Sequence, residues 1–170
     1  LARRVGRHVL VKVAQQPHTS ARVDTLAILL HLLRVLEESI QPDKDLNNKL
    51  HGKSTKKSFY VWGDVGRGKT LITKSFFNLL TERKASFHYM EFMQSIHEQL
   101  SNLPGKKNPL NIIARDLSKR CKVIFIDEFQ VEDITDAMII GNLLNQLTAL
   151  NTTLYLTSNT HPDDLYKDGL

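Results

Sequence analysis

One stretch, GDVGRGKT at positions 63–70, limits most strongly what this chain can fold into. It has the form G-x-x-x-x-G-K-T and stands between a short β-prone run, SFYVW at 58–62, and an amphipathic stretch, KTLITKSFFNLL at 69–80. That context predicts a strand, a tight turn and a helix in succession. Gly63, Gly66 and Gly68 allow backbone N–H groups to face one point, and the helix N-terminus adds partial positive charge there. The stretch Gly63-Asp64-Val65-Gly66-Arg67-Gly68-Lys69-Thr70-Leu71 is therefore read as a cradle for nucleotide phosphates. Lys69 is expected to reach the β- and γ-phosphates, and Thr70 to place its hydroxyl on Mg²⁺.

From residue 58 onward, strand-like and helix-like segments alternate. Strands are expected at 58–62, 86–90, 122–127 and in TTLYLTSN, 152–159; helices are expected at 69–80, 91–100, 110–120 and 135–150. This is the pattern of an α/β fold with a largely parallel sheet. The run KVIFID is continuously apolar, as a strand covered by helices on both faces should be. It ends in Asp127-Glu128, and ligands gather at the carboxyl ends of parallel strands. Asp127 is expected to hold the hydrated Mg²⁺, and Glu128 to orient or polarise the attacking water. Without the glycine-rich turn, the two acids would read as a solvated strand end. Asp133 and Asp136 precede an apolar helix, so capping is their expected role. Asn159 ends another buried strand; it is read as contacting the attacking water or the γ-phosphate, with a turn before His161-Pro162 as the competing reading.

Composition adds boundaries. The 170 residues suit one domain, and Cys121 is the single cysteine, so no internal disulfide can form. No apolar run is long enough to cross a bilayer. Residues 1–58 carry eleven Lys or Arg against five acids, while the remainder is slightly acidic. The chain opens on Leu1, which suggests that a native start has been removed; Arg3, Arg4, Arg7 and Lys12 read as a solvated basic arm rather than the remnant of a targeting segment. A helix is expected over 23–40, from Leu26, Leu29, Leu30, Leu33, Leu36 and Ile40, followed by a linker at 41–58. The expected division is an N-terminal helical segment and basic linker, 1–57, and a P-loop core, 58–170.

The metal strand reads D-E-F-Q, without the D-x-x-G of GTPases, and no N-K-x-D appears, so ATP is the expected nucleotide. The order of glycine-rich turn, D-E strand and Asn-ended strand resembles the AAA+ ATPases. YVWGDVGRGKT, FHYMEFMQSIHEQL, the D-E-F-x-V-x-D-I-x-D-A-M run and LYLTSNTHPDDLYKDGL resemble the ZapE-type cell-division ATPases and their mitochondrial relatives, the AFG1-like ATPases. The resemblance implies a three-layer α/β/α core, with Glu128, Lys69 and Asn159 as catalytic residues and Thr70 and Asp127 on Mg²⁺. It implies ATP-driven remodelling of proteins: an FtsZ-like division ring at the bacterial inner membrane from the cytoplasm, or protein quality control at the mitochondrial inner membrane. It further implies a homo-oligomer, peripheral membrane association and a protein substrate rather than nucleic acid. His88 and His97 match family histidines, but Met90 stands where a second histidine of the H-F-H segment is usual, so both are read as structural.

Other classes compete with this reading: a helicase loader using the basic segment 1–58, a kinase, and a nucleotide-gated binding module. The family pattern continues beyond Leu170 with Gln-Arg, a fifth strand beside the first and a helical lid. From this the chain is expected to bind nucleotide but to hydrolyse it poorly, with the 58–62 strand left as an exposed edge. An arginine supplied across a subunit boundary is worth roughly 10³–10⁵ in rate.

Overall fold

The computed structural model describes residues 2–5, 8–12 and 58–165. The helix expected at 23–40 and the linker expected at 41–58 lie outside these, except Ser58, which opens a strand. The strands are β1 (Ala2–Val5), β2 (His8–Lys12), β3 (Ser58–Trp62), β4 (Lys84–His88), β5 (Val123–Asp127) and β6 (Thr153–Ser158). The helices are α1 (Lys69–Leu79), α2 (Tyr89–Ser101), α3 (Pro109–Arg120) and α4 (Ile134–Ala149), with a 3₁₀ turn at Pro162–Asp164. One six-stranded sheet runs in the order β1-β2-β3-β6-β5-β4. Among the described strands only the β1–β2 pair is antiparallel; the other pairs are parallel, as strand–helix alternation requires.

The period-two geometry of the strands divides the core in two. Phe59 and Val61 of β3, Val123 and Phe125 of β5 and Tyr155 of β6 pack against Ile72, Phe76 and Phe77 of α1. The alternate residues, Tyr60, Trp62, Ile124, Ile126, Leu154 and Leu156, face the apolar stripes of α2, α3 and α4. β5 is buried along its whole length, which explains its unbroken apolar run. Each fully buried Ile, Leu or Phe contributes about 1.5–3 kcal/mol relative to exposure.

Local chemistry fixes where helices begin and end. Asp133 caps α4, accepting from the N–H groups of Thr135 (2.5 Å) and Asp136 (3.2 Å), which bears out the capping role read for it. Asp136 stands within the first turn instead. Pro109 occupies the first turn of α3, where its missing N–H costs nothing. At the end of α1, the Lys84 ammonium donates to the carbonyls of Phe77 (2.9 Å), Asn78 (2.8 Å) and Leu80 (2.7 Å). It also stands 5.2 Å from the centre of the Phe77 ring. One cation thus neutralises the negative end of α1 and ties it to the first residue of β4.

Three expectations need correction. The strand placed at 86–90 begins at Lys84 and ends at His88, so Tyr89 and Met90 open α2. The pairing of Lys84 with Val123 and of Ala85 with Ile124 recruits two residues with weak strand preference. The opening residues, read as a solvated basic arm, contribute β1 and β2. β2 pairs in parallel with β3, from His8 opposite Ser58 to Lys12 opposite Trp62, so β3 is not an exposed edge. The division expected at residue 57 therefore does not coincide with a boundary of the sheet.

Hydrogen exchange tests this placement. Every amide from Phe59 to Val61 should be slow, because β2 and β6 take alternate ones; an edge strand would leave every second amide exchanging like a loop. Replacing Lys84 by Met, which keeps the stem but loses three charge-assisted bonds, should lower unfolding stability by about 1–3 kcal/mol in urea titrations.

Candidate functional site

The phosphate-type turn joins β3 to α1. Gly66 (φ 79°) and Gly68 (φ 75°) lie in the left-handed region, where a Cβ would be strained, so the glycines are demanded by the path of the chain. Gly68 caps α1, and its carbonyl accepts from the N–H of Ile72 at 3.0 Å. α1 therefore starts at Lys69, with the free N–H groups of its first turn directed to the end of the sheet where β5 and β6 finish.

Lys69 is buried, with 7% of its surface exposed. Its ammonium donates to the carbonyls of Gly63 and Asp64, each at 2.7 Å, and to Asn159 Oδ1 at 3.0 Å. Burial pulls its pKa below the usual lysine value, opposed by the negative charges of Asp64 and Asp127. Asp127, equally buried, accepts from the Thr70 hydroxyl at 2.8 Å, from the Thr157 hydroxyl and from the Glu128 N–H at 3.1 Å. These three donors hold the carboxylate rigidly beside Thr70.

Glu128 is exposed and takes φ 54°, a left-handed conformation that costs on the order of 1–3 kcal/mol for a non-glycine residue. The turn swings its side chain away from the core as Phe129 N–H returns to the Thr157 carbonyl at 2.7 Å. His88 ends β4 opposite Asp127, and its Nδ1 stands 3.9 Å from Glu128 Oε2. His97 lies elsewhere: its Nε2 is 2.8 Å from Asp136 Oδ1, joining α2 to α4. The two histidines read together from the sequence thus serve different places.

A cleft of about 630 Å³ is lined by Val65 to Leu71, Asp127, Glu128 and Asn159, so residues read from three separate motifs meet in one site. Gly63 and Asp64 act from behind, through carbonyls on Lys69. The sequence reading missed Lys74, Ser75 and Asn78, which continue the wall along α1, and Thr157 and Ser158 on β6. Lys74 and Asn78 recur at four-residue spacing from Thr70, a signal that was available. Ser158 joins the back of the site to the loop after β5, its hydroxyl donating to the Phe129 carbonyl at 2.6 Å.

The donors suit a nucleotide with a hard divalent cation. A cationic turn faces two oxygens, Thr70 Oγ1 and Asp127 Oδ1, already 2.8 Å apart, and few protein oxygens are what Mg²⁺ takes when phosphates and water supply the others. Fold and site together define a P-loop protein of the AAA+ type. Domain III of the replication initiation protein DnaA from Thermotoga maritima superposes with a TM-score of 0.58 at 16% identity, covering 83% of this chain and 54% of that one. AMPPCP-bound DnaA from Aquifex aeolicus gives 0.52 at 22% identity, covering 78% and 40%.

The family is narrower than the fold. Residues 7–170 match the model of the AFG1-like ATPase family, and the chain belongs to it. It is 46% identical over 115 residues to the cell division protein ZapE of Escherichia coli, a match covering 67% of this chain and 31% of that protein. It is 30% identical over 149 residues to lactation elevated protein 1 homolog B of Danio rerio, covering 76% and 30%. The chain thus spans about a third of the length of these curated relatives.

Replacing Asp127 by Ala would leave the buried Thr157 hydroxyl without its acceptor. The variant is expected to lose about 1–3 kcal/mol of unfolding stability, measured in urea without nucleotide.

Proposed function

We propose that this chain binds ATP with Mg²⁺ in the cleft and hydrolyses it to ADP and phosphate. The observation that carries this reading is the convergence of Lys69, Thr70, Asp127, Glu128 and Asn159, from three distant parts of the sequence, on one sheet end. Lys69 and the N–H groups of the glycine-rich turn would hold the phosphates, while Thr70 and Asp127 would hold the cation. The cation would neutralise negative charge on the β- and γ-phosphates. Glu128, aimed outward by its left-handed backbone, would orient the attacking water and take its proton. Asn159, a neutral amide beside Lys69, would hydrogen-bond the water or the γ-phosphate without adding charge. The contact from His88 would steady the Glu128 carboxylate.

The energy of hydrolysis would drive remodelling of protein assemblies. The likeness to ZapE, a cell division protein, supports a role in division; a tubulin-like substrate such as FtsZ, remodelled from the cytoplasm at the division site, and a mitochondrial counterpart in eukaryotes belong to the same proposal. No helix among the described residues is long and apolar enough to cross a membrane, so an inner-membrane association would be peripheral or lie outside them. Assembly into a homo-oligomer, with an arginine of a neighbour completing the site, forms part of the same proposal.

Glu128→Gln should retain ATP affinity within about threefold while turnover falls at least roughly 10²-fold, the usual worth of a positioned base. Lys69→Ala should lose ATP binding. Calorimetric titration with ATP and Mg²⁺, beside a phosphate-release assay, measures both; normal turnover by Glu128→Gln would remove Glu128 from its role. Sedimentation of FtsZ polymers with and without ATP tests the substrate.

A further inference from the structure

The charges of this protein are unevenly placed. The chain carries a formal net charge of +5, yet residues 85–105 and 123–165 contain nine acids and no lysine or arginine. These segments build most of β4, then α2, β5, the loop to α4, α4 and β6. The His97–Asp136 contact sets α2 against the first turn of α4, which gathers several of the acids on one surface. Glu91 and Glu98, two turns apart, share the exposed face of α2, and Glu132 and Asp133 precede α4. Glu98 accepts from Gln94 and Glu132 from Gln130, neutral amides that leave the negative charge uncompensated. Among the described residues, Glu91, Glu98 and Glu132 have no cationic partner.

Two further features belong to the same place. Large apolar side chains stand exposed beside the acids: Met90 (76%) at the start of α2, with Ile134 (47%) and Met138 (72%) on α4. Flexible methionines set among carboxylates suit an amphipathic cationic partner. Tyr89, only 4% exposed, packs its ring on Phe129 at 5.1 Å, and its hydroxyl has no hydrogen-bond partner. Burial raises the Tyr89 pKa, and the charges of Asp136, Asp133 and Glu132 raise it further, which puts the hydroxyl oxygen toward the acids. An unpaired buried hydroxyl costs about 1–3 kcal/mol; closed off from solvent as it stands, it would gain a donor where a docked cation displaces the side chains over it.

We propose that the surface joining α2 to the start of α4 docks a lysine- or arginine-rich polypeptide segment that carries apolar side chains beside its charges. The net positive charge of the chain opposes a cation at long range, so binding depends on this local acidic surface. The same surface repels nucleic acid and anionic lipid. The inference does not rest on nucleotide turnover, and its test needs none.

The probe is a fluorescein-labelled amphipathic peptide of lysine and leucine, titrated with the 170-residue protein and followed by anisotropy without nucleotide. Saturable binding on the order of 10 μM, weakening with salt, is expected. The variant E91Q/E98Q/E132Q should bind at least about tenfold more weakly, while E82Q/D116N/D163N, with the same change of net charge, should bind within about twofold of wild type. Replacing the peptide leucines by serine should also cost at least about tenfold. No saturable binding, equal losses in the two triple variants, or undiminished binding of the serine peptide would overturn the proposal. Circular dichroism spectra of all three proteins establish that the comparison is made between folded chains.

Discussion

Lys69 and Asp127 are opposite charges buried at one end of one sheet, and the rest of the site depends on keeping both satisfied. An ion taken out of water and left unpaired costs several kcal/mol, so each must be surrounded by partners of the right kind. Lys69 has three acceptors and Asp127 three donors, drawn from the turn after β3, from α1 and from the ends of β5 and β6. Those segments are far apart in the chain but neighbours in the order β3-β6-β5. In this order β6, set between the other two, brings a partner to each charge, Asn159 to Lys69 and Thr157 to Asp127. The electrostatics of the site and the topology of the sheet are therefore one constraint seen at two scales.

Much of this was legible in the sequence where a single residue type had only one comfortable place. The apolar run of β5 read as a strand covered on both faces, and the glycines at 63, 66 and 68 as a tight turn; the left-handed path at 66 and 68 is what that turn requires. Asp133 and Asp136 before an apolar helix both read as caps, and Asp133 is the one that caps it. What escaped depended on pairing between distant segments. β1 and β2 carry Arg3, Arg4 and Lys12, so charge concealed the strand preference of Val5, Val9, Leu10 and Val11. A parallel pairing such as β2 with β3 leaves no local trace comparable to a hairpin turn. The Thr157 hydroxyl on Asp127 escaped for the same reason: it needs the register of β6 against its neighbours, which no spacing within β6 reveals.

The site also shows how one backbone sets two side chains to different tasks. Asp127 is the last residue of a buried strand and points inward to fixed donors. Glu128, its neighbour, is turned to solvent by a single left-handed residue. A substitution that relaxed this backbone would leave both carboxylates in the molecule and yet redirect the outer one. His88, beside both on the neighbouring strand, touches only the outer carboxylate.

The position of β6 has a consequence for how the chain comes to be folded. Within the described sheet, β1, β2 and β3 form one group and β4 and β5 another, and only β6, which follows both in sequence, joins them. During synthesis both groups leave the ribosome before the strand that unites them, and contacts of long sequence separation form slowly. Until then the interior sides of β3 and β5 remain open edges, able to pair with another chain. The interval between the appearance of Asp127 and that of Ser158 is accordingly when a nascent chain of this kind has most need of a chaperone.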